Sequence, residues 1–370
     1  MEQARYIMIG GFLGAGKTTA VAKLAQRLAK QGKRVGLITN DQGSGLVDTA
    51  TLRARGFATE EIPGGCFCCR FNSLVEAARR LTDASRPEVF IAEPVGSCTD
   101  LMATVSYPLR RIYGREFSIA PLTVLVDPIR AERVLGLEAG ARFSEKVHYI
   151  YRKQLEEADA IAINKCELLN ASRQARLEKT LSEAFPGQRM FPISARTGAG
   201  LEEWFEFLLS EAPENKAAMQ VDYAIYGEGE ALLGWLNATV RLESGRVFDA
   251  NIVLERAARF LQERLAERGA EIAHLKMTLS PEGGLNEIAG VNLVRNDFVP
   301  ELGLKLEEPV GAGELIINLR AEAPPELLDE AVKAALQRLE SSEPELRCQI
   351  RHVEFFRPGQ PNPTHRLANP

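Results

Sequence analysis

The chain has 370 residues, of which 45% are hydrophobic and 26% are charged, with a formal net charge of −5. This length favours two domains over one. The acidic balance argues against nucleic acid or an anionic membrane surface as a partner, because both attract clustered Lys and Arg. The opening segment, MEQARYIMIGG, places a strand pattern where a signal peptide would lie, and no apolar run reaches membrane-spanning length, so we expect no membrane partner.

From residue 5 to about residue 210, short apolar runs alternate with amphipathic stretches. Continuous apolar runs indicate strands that are buried on both faces, and their alternation with helices predicts a parallel sheet covered by helices. The predicted strands are YIMIGG, RVGLIT, VFIAEP, LTVLVD, AIAIN and MFPIS, and the predicted helices cover residues 17–31, 71–84, 97–113, 142–158, 171–184 and 200–210.

The pattern changes after about residue 211, where Pro, Gly and charged residues replace the periodic segments. Beyond this point the order of predicted elements is approximately β-α-β-β-α-β with one extra or broken strand, which indicates a ferredoxin-like α+β domain. The fold class is therefore α/β, a P-loop NTPase sheet with a smaller C-terminal domain. We predict a nucleotide-binding domain over residues 1–212, a linker over 213–232, the α+β domain over 233–357 and an irregular tail over 358–370.

The segment GFLGAGKTT follows the first predicted strand and precedes the first predicted helix. It fulfils the pattern G-x-x-x-x-G-K-[ST], in which glycines let backbone N–H groups point at phosphates. Lys17 would reach the β and γ phosphates, and the Thr18 hydroxyl would bind Mg²⁺. The expected nucleotide contacts in this segment are Gly11, Gly14, Ala15, Gly16, Lys17, Thr18 and Thr19.

A second polar position stands at the end of the strand VFIAEP. The carboxyl ends of parallel strands form the ligand-binding edge of an open α/β sheet. We expect Glu93 to bind Mg²⁺ through water or to orient the attacking water, and the Gly96 N–H to sense the γ-phosphate. Together with Lys17, these residues are the predicted catalytic set.

We predict that the base of the nucleotide is recognised after the strand AIAIN, which leads into Asn164, Lys165, Cys166 and Glu167. This run differs by one residue from the guanine-reading pattern Asn-Lys-x-Asp, in which the carboxylate accepts the N–H donors of guanine. The ISA segment adds Ser194 and Ala195 as candidates for a backbone N–H to guanine O6. These features favour GTP, with an ATPase of relaxed base choice as a further reading.

Three of the six cysteines lie within the segment GGCFCC. Such a cluster is not a disulfide framework, which needs partners spread over loops, and it fits a reducing cytoplasm. Cys66 and Cys68 project to one side of an extended segment, and a turn at Arg70 would bring Cys69 to them. Neighbouring thiolates form a soft-metal site for Zn²⁺, Co²⁺ or Cu⁺. A buried apolar trio and a redox-sensing thiol pair are the alternatives.

These residues together resemble the CobW-type metal-trafficking P-loop GTPases, which are relatives of UreG, HypB and MeaB. The resemblance covers about residues 5–210 and rests on GGFLGAGKTT, GGCFCC, the segment from Glu93 to Gly96, the LVD at 125–127 and QLEEADAIAINKCEL. It implies a slow GTPase that binds Zn²⁺ or Co²⁺ at the cysteines and delivers the ion to a client metalloenzyme or cofactor-assembly protein.

The sequence departs from the pattern of that family in three places. Where relatives carry a Glu-Asn-Glu-like segment, this chain has TNDQ at 39–42, which leaves Asp41 as the expected carboxylate for metal or magnesium. The guanine motif ends in Glu167, and the switch reads Glu-Pro-Val-Gly. The ion, the client and the oligomeric state stay open at this point.

A second function class fits the same motifs. The chain could be a nucleotide-switched regulatory protein that gates cofactor loading of a client enzyme, as MeaB-like proteins do. The cysteines would then be structural or redox-active, and hydrolysis would serve as a timer.

Overall fold

The computed structural model describes residues 3–40, 47–140, 142–213, 216–283 and 287–370. The chain forms two compact units. The first unit contains Met1–Gln42, Gly56–Gly229 and Gln360–Pro370, and the second contains Gly43–Arg55 and Glu230–Gly359. Each unit is therefore built from more than one stretch of chain.

The first unit contains a parallel sheet whose central strands are almost fully buried. The spatial order is β3-β2-β4-β1-β6-β7-β8, with β5 also pairing with β1. Parallel registers such as Tyr6 opposite Phe90 confirm the predicted arrangement. The strands are β1 (Ala4–Gly11), β2 (Val35–Asn40), β3 (Thr59–Ile62), β4 (Val89–Glu93), β5 (Phe117–Ile119), β6 (Thr123–Val126), β7 (Ala160–Ile163) and β8 (Arg189–Pro192).

Helices flank this sheet, as expected for strands that are apolar on both faces. The helices up to residue 232 are α1 (Lys17–Lys30), α2 (Val47–Ala54), α3 (Phe71–Ser85), α4 (Tyr107–Tyr113), α5 (Pro128–Val134), α6 (Glu145–Glu157), α7 (Ala171–Ala184), α8 (Leu201–Ser210) and α9 (Tyr223–Leu232). Of these, α2 belongs to the second unit, and its Val47 N–H donates to Asn318 Oδ1 there at 2.9 Å.

The predicted helix over residues 97–113 begins later in the structure. Residues 94–100 form an irregular turn, and a π-helical turn at Met102–Ser106 then leads into α4. Asp100 adopts a left-handed backbone with φ of 66°, which stops helical geometry from extending back to residue 97. This leaves the chain after β4 free to form the loop that is described below.

The second unit is an antiparallel sheet with strand order β12-β11-β10-β13-β9-β14. Its strands β10, β13, β9 and β14, with two helices, have the predicted β-α-β-β-α-β order of a ferredoxin-like fold, and β11 and β12 extend the sheet beyond β10. The elements are β9 (Leu233–Phe248), α10 (Ala250–Glu267), β10 (Glu271–Pro281), β11 (Ala289–Leu293), β12 (Glu301–Leu304), β13 (Val310–Glu322), α11 (Pro325–Ser342) and β14 (Leu346–Phe356).

Each unit buries its own apolar core. Within the ranges given above, none of the helices combines the length and the apolarity that crossing a bilayer requires. Residues 357–370 form neither helix nor strand. They nevertheless carry main-chain hydrogen bonds, since the N–H groups of Thr364 and Leu367 donate to the carbonyls of Cys68 and Ala103 at 2.9 Å each.

Candidate functional site

The loop between β1 and α1 has a shape that only glycine allows at two positions. Gly11 has a φ of 131°, and a Cβ there would lie 2.4 Å from the carbonyl oxygen of Leu125. Gly16 has a φ of 94°, and a Cβ there would lie 2.3 Å from Nδ2 of Asn164. Both positions require the left-handed region that glycine enters freely. The loop leads directly into the first turn of α1, where N–H groups without helical partners favour a phosphate.

Two side chains at the start of α1 belong to the predicted nucleotide-binding set. Lys17 is buried, and its Nζ donates to the carbonyl of Gly11 at 2.8 Å. The Thr18 hydroxyl donates to Oε1 of Glu93 at 2.9 Å. The structure therefore brings together a cation, a hydroxyl and a carboxylate from two parts of the sequence at one edge of the sheet. Thr19 is exposed on the same turn.

A turn after β4 joins Glu93 to the loop before α1. A Cβ at Gly96 would lie 2.9 Å from the backbone nitrogen of Leu13, so the two backbones are in close contact. The Gln154 side chain holds the turn, because its Nε2 donates to the carbonyls of Gly96 at 2.9 Å and Cys98 at 2.8 Å. We call residues 93–98 the β4 turn.

Asn164 connects two loops at the end of β7. Its Nδ2 donates to the carbonyl of Ala15 at 2.8 Å, and its Oδ1 accepts from the N–H of Ala195 at 2.9 Å. The N–H of Ser194 donates to the carbonyl of Ala199. Both candidate N–H donors for a base therefore have partners within the protein.

Lys165 and Glu167 lie at the outer side of this cluster. Lys165 has a left-handed backbone, with φ of 58°, and its Nζ donates to the carbonyl of Gly14 at 2.9 Å and to Oδ2 of Asp127 at 2.8 Å. Glu167 is exposed. A carboxylate that must contact a diffusing base is expected to be accessible, so its position is compatible with base recognition.

The cysteines form a compact cluster of sulfur atoms. The Sγ atom of Cys66 lies 2.8 Å from that of Cys68 and 3.3 Å from that of Cys69, and the remaining pair is 3.7 Å apart. Cys66 and Cys68 are buried and Cys69 is half-buried. Among the described residues, this is the one group of three or more Cys, His, Asp and Glu side chains whose ligand atoms all lie within 4.8 Å of one another.

Local backbone geometry explains how adjacent cysteines meet. The N–H groups of Cys69 and Arg70 both donate to the carbonyl of Cys66, at 3.0 and 2.9 Å. This closes a turn before α3 and rotates Cys69 toward its neighbours. Asn40, the last residue of β2, donates through Nδ2 to the carbonyl of Gly65 at 2.7 Å, which fixes the start of the segment to the sheet.

Hydrogen bonds within the cluster give its thiols different pKa values. Bonds from Cys68, then from Cys69 and Cys98, hold the pKa of Cys66 well below its usual range. The bond to Cys66 raises the pKa of Cys68 well above the usual range and raises the pKa of Cys69 to about 11. Cys66 is therefore the thiol of the cluster that loses its proton most readily, and an ion that binds all three sulfur atoms must displace protons.

Three residues that contact the candidate site were not singled out as site residues by the sequence reasoning. Cys98 is fully buried and hydrogen-bonded to both Cys66 and Cys68, although its isolated place in the sequence suggested a core residue. Its position five residues after Glu93, beside the same sheet edge, was a usable signal. Gln154 and Asp127 offered no signal beyond their place in the family-like segments. The candidate Asp41 lies outside the described residues.

Comparisons with known proteins agree on one family. Residues 5–192 match a family model described as "CobW/HypB/UreG, nucleotide-binding domain". The chain is 29% identical over 228 residues to the zinc chaperone CobW of Sinorhizobium sp, covering 53% of this chain and 63% of that protein. It is 26% identical over 175 residues to the zinc chaperone YeiR of Escherichia coli (strain K12), covering 46% and 49%. The matches thus span about half to under two-thirds of these relatives' lengths.

Among solved structures, the Zn(II)-bound YjiA GTPase from E. coli is similar over 92% of this chain and 99% of that one. The sequence identity is 13% and the TM-score is 0.39.

Proposed function

Because the chain belongs to the CobW/HypB/UreG family, whose nucleotide-binding domain covers residues 5–192, we propose that it is a GTP-binding and GTP-hydrolysing metallochaperone. It holds a transition metal at Cys66, Cys68 and Cys69 and delivers the ion to a client protein. Zinc is the favoured ion, since two relatives are named zinc chaperones and three clustered sulfur ligands suit it.

The nucleotide end of the site supplies each group that phosphoryl transfer requires. The loop before α1 and the α1 N-terminus bind the phosphates, and Lys17 exchanges its bond to Gly11 for phosphate oxygens. Thr18 and Glu93 offer paired oxygen donors 2.9 Å apart, which fit Mg²⁺. When bound, Mg²⁺ would offset the charge of the phosphates. Glu93 orients the attacking water, and the Gly96 N–H contacts the γ-phosphate.

The base is selected beside β7. Lys165 packs along the base, and Glu167 accepts the two N–H donors of guanine. Asn164 holds the phosphate loop to the segment that contains Ser194 and Ala195. We infer GTP as the substrate from this arrangement.

One observation carries the proposal: the β4 turn contacts both ends of the site. Its first residue bonds to Thr18, Gly96 packs on Leu13, and Cys98 bonds to Cys66 and Cys68. A change at the γ-phosphate that moves this turn must therefore disturb the sulfur cluster. By thermodynamic linkage, GTP and the metal then alter each other's affinity by equal factors.

Competition titrations test this coupling directly. The zinc affinity of the full chain is measured against a chelator of known affinity, once with GDP and once with a non-hydrolysable GTP analogue. We expect a difference of at least about fivefold, the lower range of measured allosteric couplings. Equal affinities in the two nucleotide states would contradict the coupling.

The alternative function is nucleotide-dependent gating of cofactor loading, with structural or redox-active cysteines. Replacing Cys66, Cys68 and Cys69 together by Ser separates the two readings. Metal delivery predicts loss of client activation with GTP hydrolysis retained, whereas gating predicts that activation persists.

The free thiols fit a reducing compartment, so we place the protein in the cytoplasm. Its partner in this proposal is a client metalloenzyme or cofactor-assembly protein.

A further inference from the structure

The last residues of the chain return to the first unit and lie across the cysteine cluster. We call Gln360–Pro370 the tail; it is part of the first unit although the residues before it belong to the second. The Thr364 N–H donates to the carbonyl of Cys68 at 2.9 Å, and its hydroxyl donates to the carbonyl of Cys69 at 3.1 Å. The tail is therefore bonded to the backbone of the segment that carries the thiols.

One tail contact reaches a sulfur atom. The backbone N–H of Asn362 donates to Sγ of Cys69 at 3.3 Å. Asn362 stands between Pro361 and Pro363, which have no N–H, so it carries the one backbone N–H of residues 361–363. The two prolines also restrict the backbone to extended conformations. This hydrogen bond fixes the position of the Cys69 sulfur and places the tail backbone directly against it.

The far end of the tail is anchored on a buried carboxylate. Nε of Arg366 donates to Oδ2 of Asp100 at 2.7 Å, and the Tyr223 hydroxyl donates to the same oxygen at 2.6 Å. Asp100 is 1% exposed. Burying an unpaired carboxylate costs free energy of folding, so the bond from Arg366 to Asp100 fixes the tail at a specific place. The Leu367 N–H adds a bond to the carbonyl of Ala103.

Ring packing closes the middle of the tail over α3. The His365 ring lies edge-on to Phe71, with centroids 4.9 Å apart. The Ala218 N–H donates to the carbonyl of Ala368 at 2.8 Å. Contacts thus run from residue 362 to residue 368, so the tail is held to the first unit along most of its length.

We propose that the tail is a removable cover of the thiol cluster, which limits the access of metal ions and reagents to Cys69 and positions its sulfur through the Asn362 N–H. Its anchors, Asp100 and Ala103, directly follow the β4 turn, so a displacement of that turn loosens the cover. The role in metal release rests on the proposed function, whereas the covering of the thiols does not.

The first experiment needs no metal. Asn362→Pro removes the N–H that bonds to sulfur, and Asn369→Pro makes the same chemical change at an exposed tail position that also precedes a proline. The rate of Cys69 alkylation by iodoacetamide is followed by mass spectrometry in the metal-free full chain. We expect the rate to rise about tenfold for Asn362→Pro, because one of the hydrogen bonds that hold the tail over the Cys69 sulfur is lost and iodoacetamide reaches that sulfur more often. The rate should stay near the parent rate for Asn369→Pro.

A second variant keeps the test decisive if one substitution disturbs folding. A chain that ends at Pro363 loses the bonds of Thr364, Arg366 and Leu367 but retains the segment before them. Its alkylation rate should rise at least as much, with thermal melting and GTP binding as checks of the fold. If both folded variants react at the parent rate, the cover does not exist.

The last measurement separates this proposal from the proposed function. Zn²⁺-loaded parent and variant proteins are mixed with excess chelator, and the rate of zinc loss is recorded. Faster loss from the two tail variants than from Asn369→Pro supports the cover. A parent that binds no zinc refutes the metallochaperone role while leaving the alkylation result intact. If the parent binds zinc and releases it at the same rate as both variants, the tail does not control the release of the metal.

Discussion

Individual residues mark the boundary of what the sequence can predict. Lys17 and Thr18 could be placed from their motif because the phosphate loop fixes their spacing, and Glu93 because it ends a buried strand. Cys98 could not, since its contacts with Cys66 and Cys68 arise from the turn that Gln154 holds, and this turn is a tertiary feature. A hydrogen bond between residues 56 positions apart leaves no periodic trace in the sequence.

Cys98 gives a prediction at this scale. Cys98→Ser should weaken zinc binding by about tenfold, as removal of a group bonded to metal ligands commonly does. Cys348→Ser is the control, because Cys348 lies in the second unit. Chelator competition measures both affinities, and the sulfur-to-metal absorption of Co²⁺-loaded protein reports whether Cys98 itself joins the ligands. Unchanged affinity in Cys98→Ser would show that the fourth thiol is a bystander.

Glu93 gives a second prediction at the scale of single residues. Glu93→Gln keeps the shape of the side chain but removes the charge beside Thr18, so GTP turnover should fall by about 100-fold. Glu88→Gln changes a half-buried carboxylate of the preceding loop, which pairs with Lys33, and should leave turnover near the parent value. Single-turnover hydrolysis with saturating GTP measures the effect on chemistry. Equal rates in the two variants would remove Glu93 from the catalytic set.

Secondary-structure elements were predictable where the hydrophobic pattern was long and regular. The predicted helix over 171–184 has the bounds of α7, and the six predicted strands of the first half all exist. The short elements β3, β5, β12, α2 and α5 were missed, since segments of three to eight residues contain too few periods to stand out. The helix predicted from residue 97 begins later because the left-handed backbone at Asp100 interrupts helical geometry.

The loops at the end of β7 allow phosphate binding to be separated from base reading. Asn164→Ala breaks the link between Ala15 and Ala195, so it should weaken GTP and ATP binding alike. Glu167→Gln removes the carboxylate that we propose as the acceptor for guanine, so it should weaken GTP binding by about tenfold with little effect on ATP. Glu183→Gln is the exposed control. Calorimetric titration with both nucleotides distinguishes the patterns, and a parallel loss for Glu167→Gln would contradict its role as base reader.

At the scale of the whole molecule, the chain is less modular than its sequence suggests. Composition placed a domain change after residue 212, but segments at 43–55 and 360–370 belong to the unit opposite to the one that sequence position implies. Such exchanges depend on which surfaces pack together, and local composition carries no record of this. The ferredoxin-like order was readable because each of its long strands and helices is internally periodic.

The chain leaves the first unit and later returns to it, and this path suggests how the first unit can be produced as a separate protein. A Cβ built on Gly227 would lie 3.5 Å from Cα of Gln360, so the points where the chain leaves and rejoins this unit are neighbours. Residues 1–229 joined by a short Gly/Ser linker to residues 360–370 should melt about 5–10 °C higher than residues 1–229 alone, because Asp100 regains Arg366. Calorimetry of both proteins tests this, and equal melting temperatures would argue against a structural role for the returning segment.

The returning segment also sets an order of events during synthesis. Asn362 and Cys69 are 293 positions apart, which at ordinary bacterial or eukaryotic elongation rates corresponds to about 15–60 s on the ribosome. Throughout that interval the cysteines have been made, while the residues that will screen them have not. A newborn chain therefore passes through a stage in which its thiols are open to any ion or oxidant nearby, and this stage lasts until residues 362–368 have folded onto the cysteine segment.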